Sequence, residues 1–270
     1  MIDEINTKIS EYISYFVNTH ESTKNHKNYW REPIVAFADA SDPLFSRLKK
    51  VVSPEHFLPS EILRNCESVI VYFIPFKGDV VQSNSKGLRS SKEWAEAYIL
   101  TNQLIVRLNR FLSEKIQNMG FETVEIPPTH NFDEEKLISY WSHKHVAYIA
   151  GLGKFGLHKM IITEKGCCGR LGSIVTDLKL QPTDRPKNEF CLYFYNQSCA
   201  ECVEKCPFGA LGIDDFDRKK CYQVCLSNAE LHSKIGYADV CGKCSSNVPC
   251  SLKNPVRRDR EKLDGRKVRK

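Results

Sequence analysis

The sequence predicts an α/β domain followed by a small metal-organised domain, and three observations carry that expectation. "SVIVYFIP", Ser68 to Pro75, is a short run of β-branched and aromatic residues closed by proline, the pattern of a buried strand. Behind it a long segment repeats Leu104, Leu108, Phe111, Leu112 and Ile116 on one helical stripe and stops at Gly120. From Pro182 onward long apolar periodic segments cease, and nine of the chain's twelve cysteines follow. The expected division is therefore an α/β domain over 1–180, a cysteine-organised domain over 181–255 and a basic tail over 256–270.

Taken in order, Ile5, Ile9, Ile13, Phe16 and Val17 recur at helical spacing, so the first thirty residues predict a helix packed by one face. A polar loop, "KGDVVQSNSKGLRS", is expected after the Ser68–Pro75 strand. The long helix is expected to open at a capping box formed by Ser90, Ser91, Lys92 and Glu93. "FETVEIP" predicts a second strand, Asp133 to Ile149 a further helix ended by Gly151, and "GSIVTDLKL" a third strand.

A chain of 270 residues, 41% hydrophobic, can bury a core without disulfide staples. The N-terminus has no apolar run of signal-peptide type, and no stretch approaches the roughly 20 apolar residues of a membrane helix. A cytoplasmic location without membrane attachment is expected, where cysteines stay reduced and metal binding outranks bridging. The net charge of +6 is concentrated at the C-terminus, where Lys253 to Lys270 hold nine basic and three acidic residues. That tail can touch RNA phosphates by counterion release, although a solvated charged end is the simpler reading.

"CLYFYNQSCAECVEKCPFGAL" carries the chemistry. Cys199, Cys202, Cys206 and Pro207 match the last three cysteines and the proline of a bacterial ferredoxin run, and Asn196 stands where its first cysteine belongs. Cys191 can substitute if its loop folds back. Cys221, Cys225, Cys241, Cys244 and Cys250 follow, so nine thiols are available for the eight that two [4Fe-4S] clusters require. Short loops let thiolates converge while intervening N–H groups face the cluster sulfides. A zinc ribbon pairing Cys199/Cys202 with Cys241/Cys244 is the competing arrangement. Cys66 reads as a small buried hydrophobe, and Cys167 and Cys168 as structural thiols.

With this module and the glycine stretch "AGLGKFG" (Ala150 to Gly156) both present, the chain resembles the epoxyqueuosine reductase family, cobalamin-dependent tRNA-modification enzymes with two [4Fe-4S] clusters. The match runs from about Ser68 to Pro255 and includes "LGSIVTD" (Leu171 to Asp177). The resemblance implies one cluster on Cys206, Cys221, Cys241 and Cys244 and another on Cys199, Cys202 and Cys250 with Cys191, leaving Cys225 as an alternative ligand. It implies a corrinoid on an α/β domain similar to nitroreductases and cobalamin-processing proteins, beside Gly151, Gly153, Lys154, Gly156 and His158, and a ferredoxin-like cluster domain. The glycines could let a flat macrocycle approach the backbone, and they equally suit a helix C-cap and tight turn.

The departures are specific. The family's aspartate in "DSAPxxE", its proposed proton donor, is replaced by Leu137 in "LISYWSH". Lys154, Leu157 and His158 replace the family's Trp, Lys and Asn, and five residues instead of three follow Cys244 before the next cysteine. The family's C-terminal repeat domain, used for tRNA, is expected to be absent. Candidate proton donors lie in "YWSHKHVAYIAGLG", with Tyr140 and His143 flanking the segment and His145 and Tyr148 on one helix face. Arg170 suits a phosphate or carboxylate. The expected activity is a cluster-to-cobalt reductase, fed by a ferredoxin or flavodoxin and acting on a small molecule or a corrinoid protein. A two-cluster electron carrier or corrinoid reactivator without substrate chemistry, and a zinc-organised nucleic-acid-binding protein, are the alternatives.

Overall fold

The computed structural model describes residues 2–20 and 28–257, so most of the expected basic tail lies outside the described residues. Its packing forms two compact units, each assembled from three stretches of chain. The first comprises 1–74, 100–152 and 169–185, and the second 75–99, 153–168 and 186–270.

In the first unit, α1 (Ile2–His20) buries Ile9, Ile13 and Val17, the stripe expected from sequence. The next strand, β1 (Ile34–Asp39), is an addition to the expected strands: six residues set between Pro33 and the turn Asp39 makes with Ser41. It is followed by α2 (Pro43–Val51), where Asp42 caps the Leu44 N–H and proline occupies the first turn, and by the single turn α3 (Pro59–Ile62). Strand β2 (Ser68–Pro75) is buried at every position. Each such apolar side chain contributes about 1.5–3 kcal/mol, which explains why the run is legible from composition alone.

The segment expected as a polar loop contains helix α4 (Gly78–Ser83), whose Val80 and Val81 are buried. Two apolar residues in a polar context are too few to show a period. Helix α5 (Lys92–Gln117) follows the expectation, but the cap is Ser91, whose hydroxyl accepts from the Trp94 N–H at 3.1 Å, while Ser90 bonds His232 instead.

Strand β3 (Thr123–Glu125) occupies the "FETVEIP" segment. The helix expected over Asp133 to Ile149 is corrected. Phe132–Asp133 (β4) and Ile138–Ser139 (β5) pair as an antiparallel hairpin, and only α6 (His143–Ile149) is helical. The Asp133 carboxylate accepts from the N–H groups of Glu135 and Lys136 and nucleates the turn, and Leu137 closes it at φ +54°, which no helix tolerates.

Past α6 come β6 (Gly153–Phe155) and β7 (Ile161–Thr163), paired antiparallel within the second unit, and then β8 (Gly169–Thr176). The main sheet of the first unit has the order β1-β2-β8-β3, with β1/β2 and β3/β8 antiparallel. The fold is thus mixed α/β. The cysteine-bearing part adds α7 (Leu192–Asn196), α8 (Glu201–Glu204) and α9 (Arg218–Leu231), the last capped by Asp217. No helix among the described residues is long and apolar enough to cross a membrane.

Candidate metal centre

The nine cysteines of the module fall into two groups within the second unit. Cys191, Cys199, Cys202 and Cys250 line one recess, walled on its apolar side by Leu157, Val248 and Pro249. Cys191 reaches it because "LYFYN" winds into α7 and Gln197 turns left-handed at φ +59°, so the chain doubles back before Cys199. Cys199 and Cys202 bracket the start of α8. Burial and the neighbouring sulfurs raise both thiols, Cys202 to about 12.

Cys206, Cys221, Cys241 and Cys244 form the second group. Burial first, and then Cys241, Cys221 and Cys206, push Cys244 well above the usual thiol range. The Cys206 sulfur accepts from the Ala210 N–H at 3.3 Å across a turn that Gly209 makes at φ +60°. Cys225 lies one helical turn after Cys221 on α9, and its interaction with Cys221, with burial next, raises the Cys225 thiol strongly. Its other thiol neighbour is Cys241, so Cys225 stands with the second group and not with Cys191.

Four cysteines on one recess are stable together as thiolates only when metal charge lies between them. The donor set suits an iron-sulfur cluster in both groups. The second group carries another sign of fit. Trp94 is buried and its indole N–H, a donor only, has no acceptor among the described residues. The ring lies against Gly242, between Cys241 and Lys243, where a Cβ would come within 2.7 Å of Nε1. Cluster sulfur beside Gly242 is the acceptor chemistry such a donor needs. Cys199 and Cys202 line the recess with Cys191 and Cys250, a lining that does not include Cys241 or Cys244, in contrast to the convergence a zinc ribbon requires.

Several residues around these groups carry no sequence signal. Asn84 is fully buried, donates to the Cys241 carbonyl at 2.9 Å and to Ser246 Oγ at 3.0 Å, and accepts from the Ser91 N–H at 3.0 Å. Lys243, also buried, donates to the carbonyls of Asn84 at 3.0 Å and Lys86 at 2.6 Å. Both lie in polar stretches that read as loop, and only the fold shows that they are inside.

The glycines expected beside a corrinoid have packing roles of their own. Gly151, in the first unit, ends α6 at φ +80°, and a Cβ there would lie 2.8 Å from the Asp184 carbonyl oxygen. In the second unit, a Cβ on Gly153 would run into the Ile162 carbonyl and one on Gly156 would sit 2.6 Å from the His158 ring. The chain's own atoms fill those positions, so the glycines form no open cradle for a macrocycle. His158 is buried and turned to Cys250, with Nε2 and Sγ 3.3 Å apart, and Lys154 is half-buried on β6.

The candidate proton donors sit in the first unit. His145 and Tyr148 share α6, both half-buried, and burial holds His145 down at about 4. Its Nδ1 lies 2.8 Å from Ser142 Oγ. His143 bridges the Pro127 carbonyl at 2.9 Å and Ser173 Oγ at 3.0 Å, and burial likewise lowers it to about 4. Arg170 donates to Asn102 Oδ1 and to the Pro128 carbonyl, so its fork is already engaged by protein. Cys66 is half-buried and its thiol is raised to about 11 by burial, whereas Cys167 and Cys168 are fully buried.

No protein-family model matches the chain. It is 25% identical over 222 residues to the epoxyqueuosine reductase of Listeria monocytogenes serovar 1/2a, an alignment covering 76% of this chain and 54% of that protein. The epoxyqueuosine reductase of Bacillus anthracis is 24% identical over 206 residues, covering 71% and 50%. The chain thus spans about half the length of the curated relatives it matches. An epoxyqueuosine reductase solved with an epoxyqueuosine-modified tRNA-Tyr stem loop superposes with TM-score 0.56 at 20% identity, over 93% of this chain and 66% of the other. A reductive dehalogenase, described as suggesting a mechanism for B12-dependent dehalogenation, superposes with TM-score 0.58 at 18% identity, over 84% and 31%.

Proposed function

We propose that this chain, epoxyqueuosine reductase-like in sequence and in fold, is an iron-sulfur reductase that holds two [4Fe-4S] clusters. One would be held by Cys191, Cys199, Cys202 and Cys250 and the other by Cys206, Cys221, Cys241 and Cys244. The observation that carries this reading is the gathering of Cys191, Cys199, Cys202 and Cys250 on one recess, with Cys241, Cys221 and Cys206 acting on Cys244 and the Ala210 N–H donating to the Cys206 sulfur. The protein's work is then to exclude water, fix the ligands and set the electron affinity of each cluster. Electrons arrive from a low-potential carrier such as a ferredoxin or flavodoxin and leave for an acceptor bound to the α/β part.

Cobalamin is the acceptor we propose, and its support is the B12-dependent chemistry ascribed to the dehalogenase neighbour. A reduced cobalt would supply the nucleophile or reductant that acts on substrate. The space beside Gly151, Gly153 and Gly156 is filled by the chain's own atoms, so these glycines do not fit that group as it stands. The same observation favours a second reading, an electron carrier that hands electrons to a separate corrinoid protein. An RNA substrate is supported by the tRNA-bound neighbour. An α/β domain to about 180 with a cluster domain after it is the arrangement we propose for these roles, the cluster domain also drawing 75–99 and 153–168 into its packing.

Metal analysis of protein purified without oxygen tests the proposal. About eight irons with matching sulfide, and a visible spectrum that shifts on adding hydroxocobalamin, are expected. Eight irons without a cobalamin shift favour the carrier, and zinc in place of iron overturns both readings.

A further inference from the structure

The recess of the first cysteine group continues behind Cys250 into a second set of buried polar groups. The His158 ring is 4% exposed and its Nε2 stands 3.3 Å from Cys250 Sγ. On the far side of the ring, Nδ1 accepts the Met160 N–H at 3.1 Å. A ring nitrogen that accepts carries no proton, so the proton of the neutral imidazole is on Nε2 and is directed at the sulfur. Gly156 makes the arrangement possible, because any Cβ there would strike the ring. Cys167, 3% exposed, stands beside the same sulfur: the ligand atoms of His158, Cys167 and Cys250 all lie within 4.8 Å of one another.

This set is held by backbone as well as by side chains. The Cys167 N–H donates to the Cys250 carbonyl at 2.9 Å and the Cys168 N–H to that of Ser251 at 3.1 Å. Gly166, at φ +89°, lies so close to Ser251 and Leu252 that no side chain fits. The turn after β7 is thereby fastened to the turn that presents Cys250, and the histidine cannot move independently of the sulfur it faces.

We propose that His158 is a positioning and tuning residue for the first cluster: its Nε2–H donates to the Cys250 sulfur and makes that cluster easier to reduce. The proposal rests on the two-cluster reading above. A donor on a ligating sulfur withdraws charge from it and favours the form with the extra electron, the usual effect of hydrogen bonds around iron-sulfur clusters. The step is a one-electron reduction of the cluster, with the proton retained on Nε2 and no bond made or broken. In the assay the electron comes from dithionite.

The test is an EPR-monitored redox titration of the full chain and two variants, with iron content measured on each. His158→Phe removes the donor and keeps a ring, while His158→Gln restores an N–H. With full iron in all three, His158→Phe is expected to lower the midpoint of one cluster by about tenfold in the oxidised-to-reduced ratio, 59 mV for a one-electron couple. His158→Gln is expected to recover part of the shift, and the other cluster to stay put. Pulsed EPR of the unaltered protein labelled with 15N-histidine is expected to show a weak nitrogen coupling to one reduced cluster, a readout that survives even if His158→Phe fails to fold. Clusters present with unchanged midpoints, or with no histidine coupling, overturn the proposal and leave the two-cluster reading standing. Absence of iron from the unaltered protein overturns both. Zinc bound beside intact clusters and lost in Cys167→Ala also overturns the proposal, since His158, Cys167 and Cys250 would then be a metal site of their own.

Discussion

The two cysteine groups offer the same four thiols and differ in what stands behind them. Cys250 of the first group faces neutral donors, the His158 imidazole and the Cys167 thiol, in a recess walled by Leu157, Val248 and Pro249. The second group has a buried ammonium, Lys243, set between Cys241 and Cys244, and the indole N–H of Trp94 near Gly242. Burial pulls the Lys243 ammonium below its usual range, and Cys241 opposes that shift. Identical ligands therefore experience dipoles in one place and a full charge in the other. Electron affinity in such centres follows the surroundings more than the ligand list.

The largest expected effect separates the groups outright. Cys202→Ala and Cys206→Ala should each lose about half of about eight irons, and lose different halves, visible as complementary EPR signals of the reduced proteins. Cys191→Ala should behave like Cys202→Ala. Full iron in that variant would show that the early cysteine is no ligand.

Gly242→Ala comes next. Its φ of +69° and the Trp94 ring within van der Waals reach predict a loss of about 2–4 kcal/mol, read from urea unfolding. Lys243→Met strands the carbonyls of Asn84 and Lys86 and should cost about 1–3 kcal/mol, while lowering the midpoint of the second cluster only. If both midpoints move together, the two surroundings are not independent. Cys225→Ala should retain all its iron, because Cys225 stands beside a ligand without being one; loss of iron there would exchange it for Cys221 or Cys241.

The smallest effect lies outside both groups and serves as their control. Above about pH 6.5 the His143 ring is neutral whether the chain is folded or not. Below that value the unfolded ring takes up a proton that the folded one, held at about 4, refuses. His145, held equally low, adds to the effect, so stability should decline as pH falls from about 6.5 to 4, and His143→Asn should make the decline shallower without moving either cluster's midpoint.

What could be read in advance follows from how local each signal is. Ser68–Pro75 and the Leu104–Ile116 stripe announce themselves because burial repeats along the chain at a fixed period. The cysteine spacing is equally local, and the fold brings Cys191, Cys199, Cys202 and Cys250 onto one recess. The hairpin at Phe132–Ser139 was hidden because an aspartate-nucleated turn and a left-handed leucine look like ordinary helical residues. The roles of His158, Trp94, Asn84 and Lys243 depend on neighbours some 90 to 160 positions away, and no window along the sequence contains both partners. "GLGKFG" shows the ambiguity most sharply, since turn, close packing and ligand approach all ask for glycine, and the fold displays the first two.

The first group takes Cys191, Cys199 and Cys202 from before the second group's residues and Cys250 from after them. If both clusters form, the bond to Cys250 closes a ring of chain around the whole of the second set. Forming the inner cluster first shortens the flexible span that the outer closure must bring together, and so reduces its entropic cost. Were both clusters present, closure would thus favour the order inner before outer, and losing the outer cluster would open the ring around the inner one.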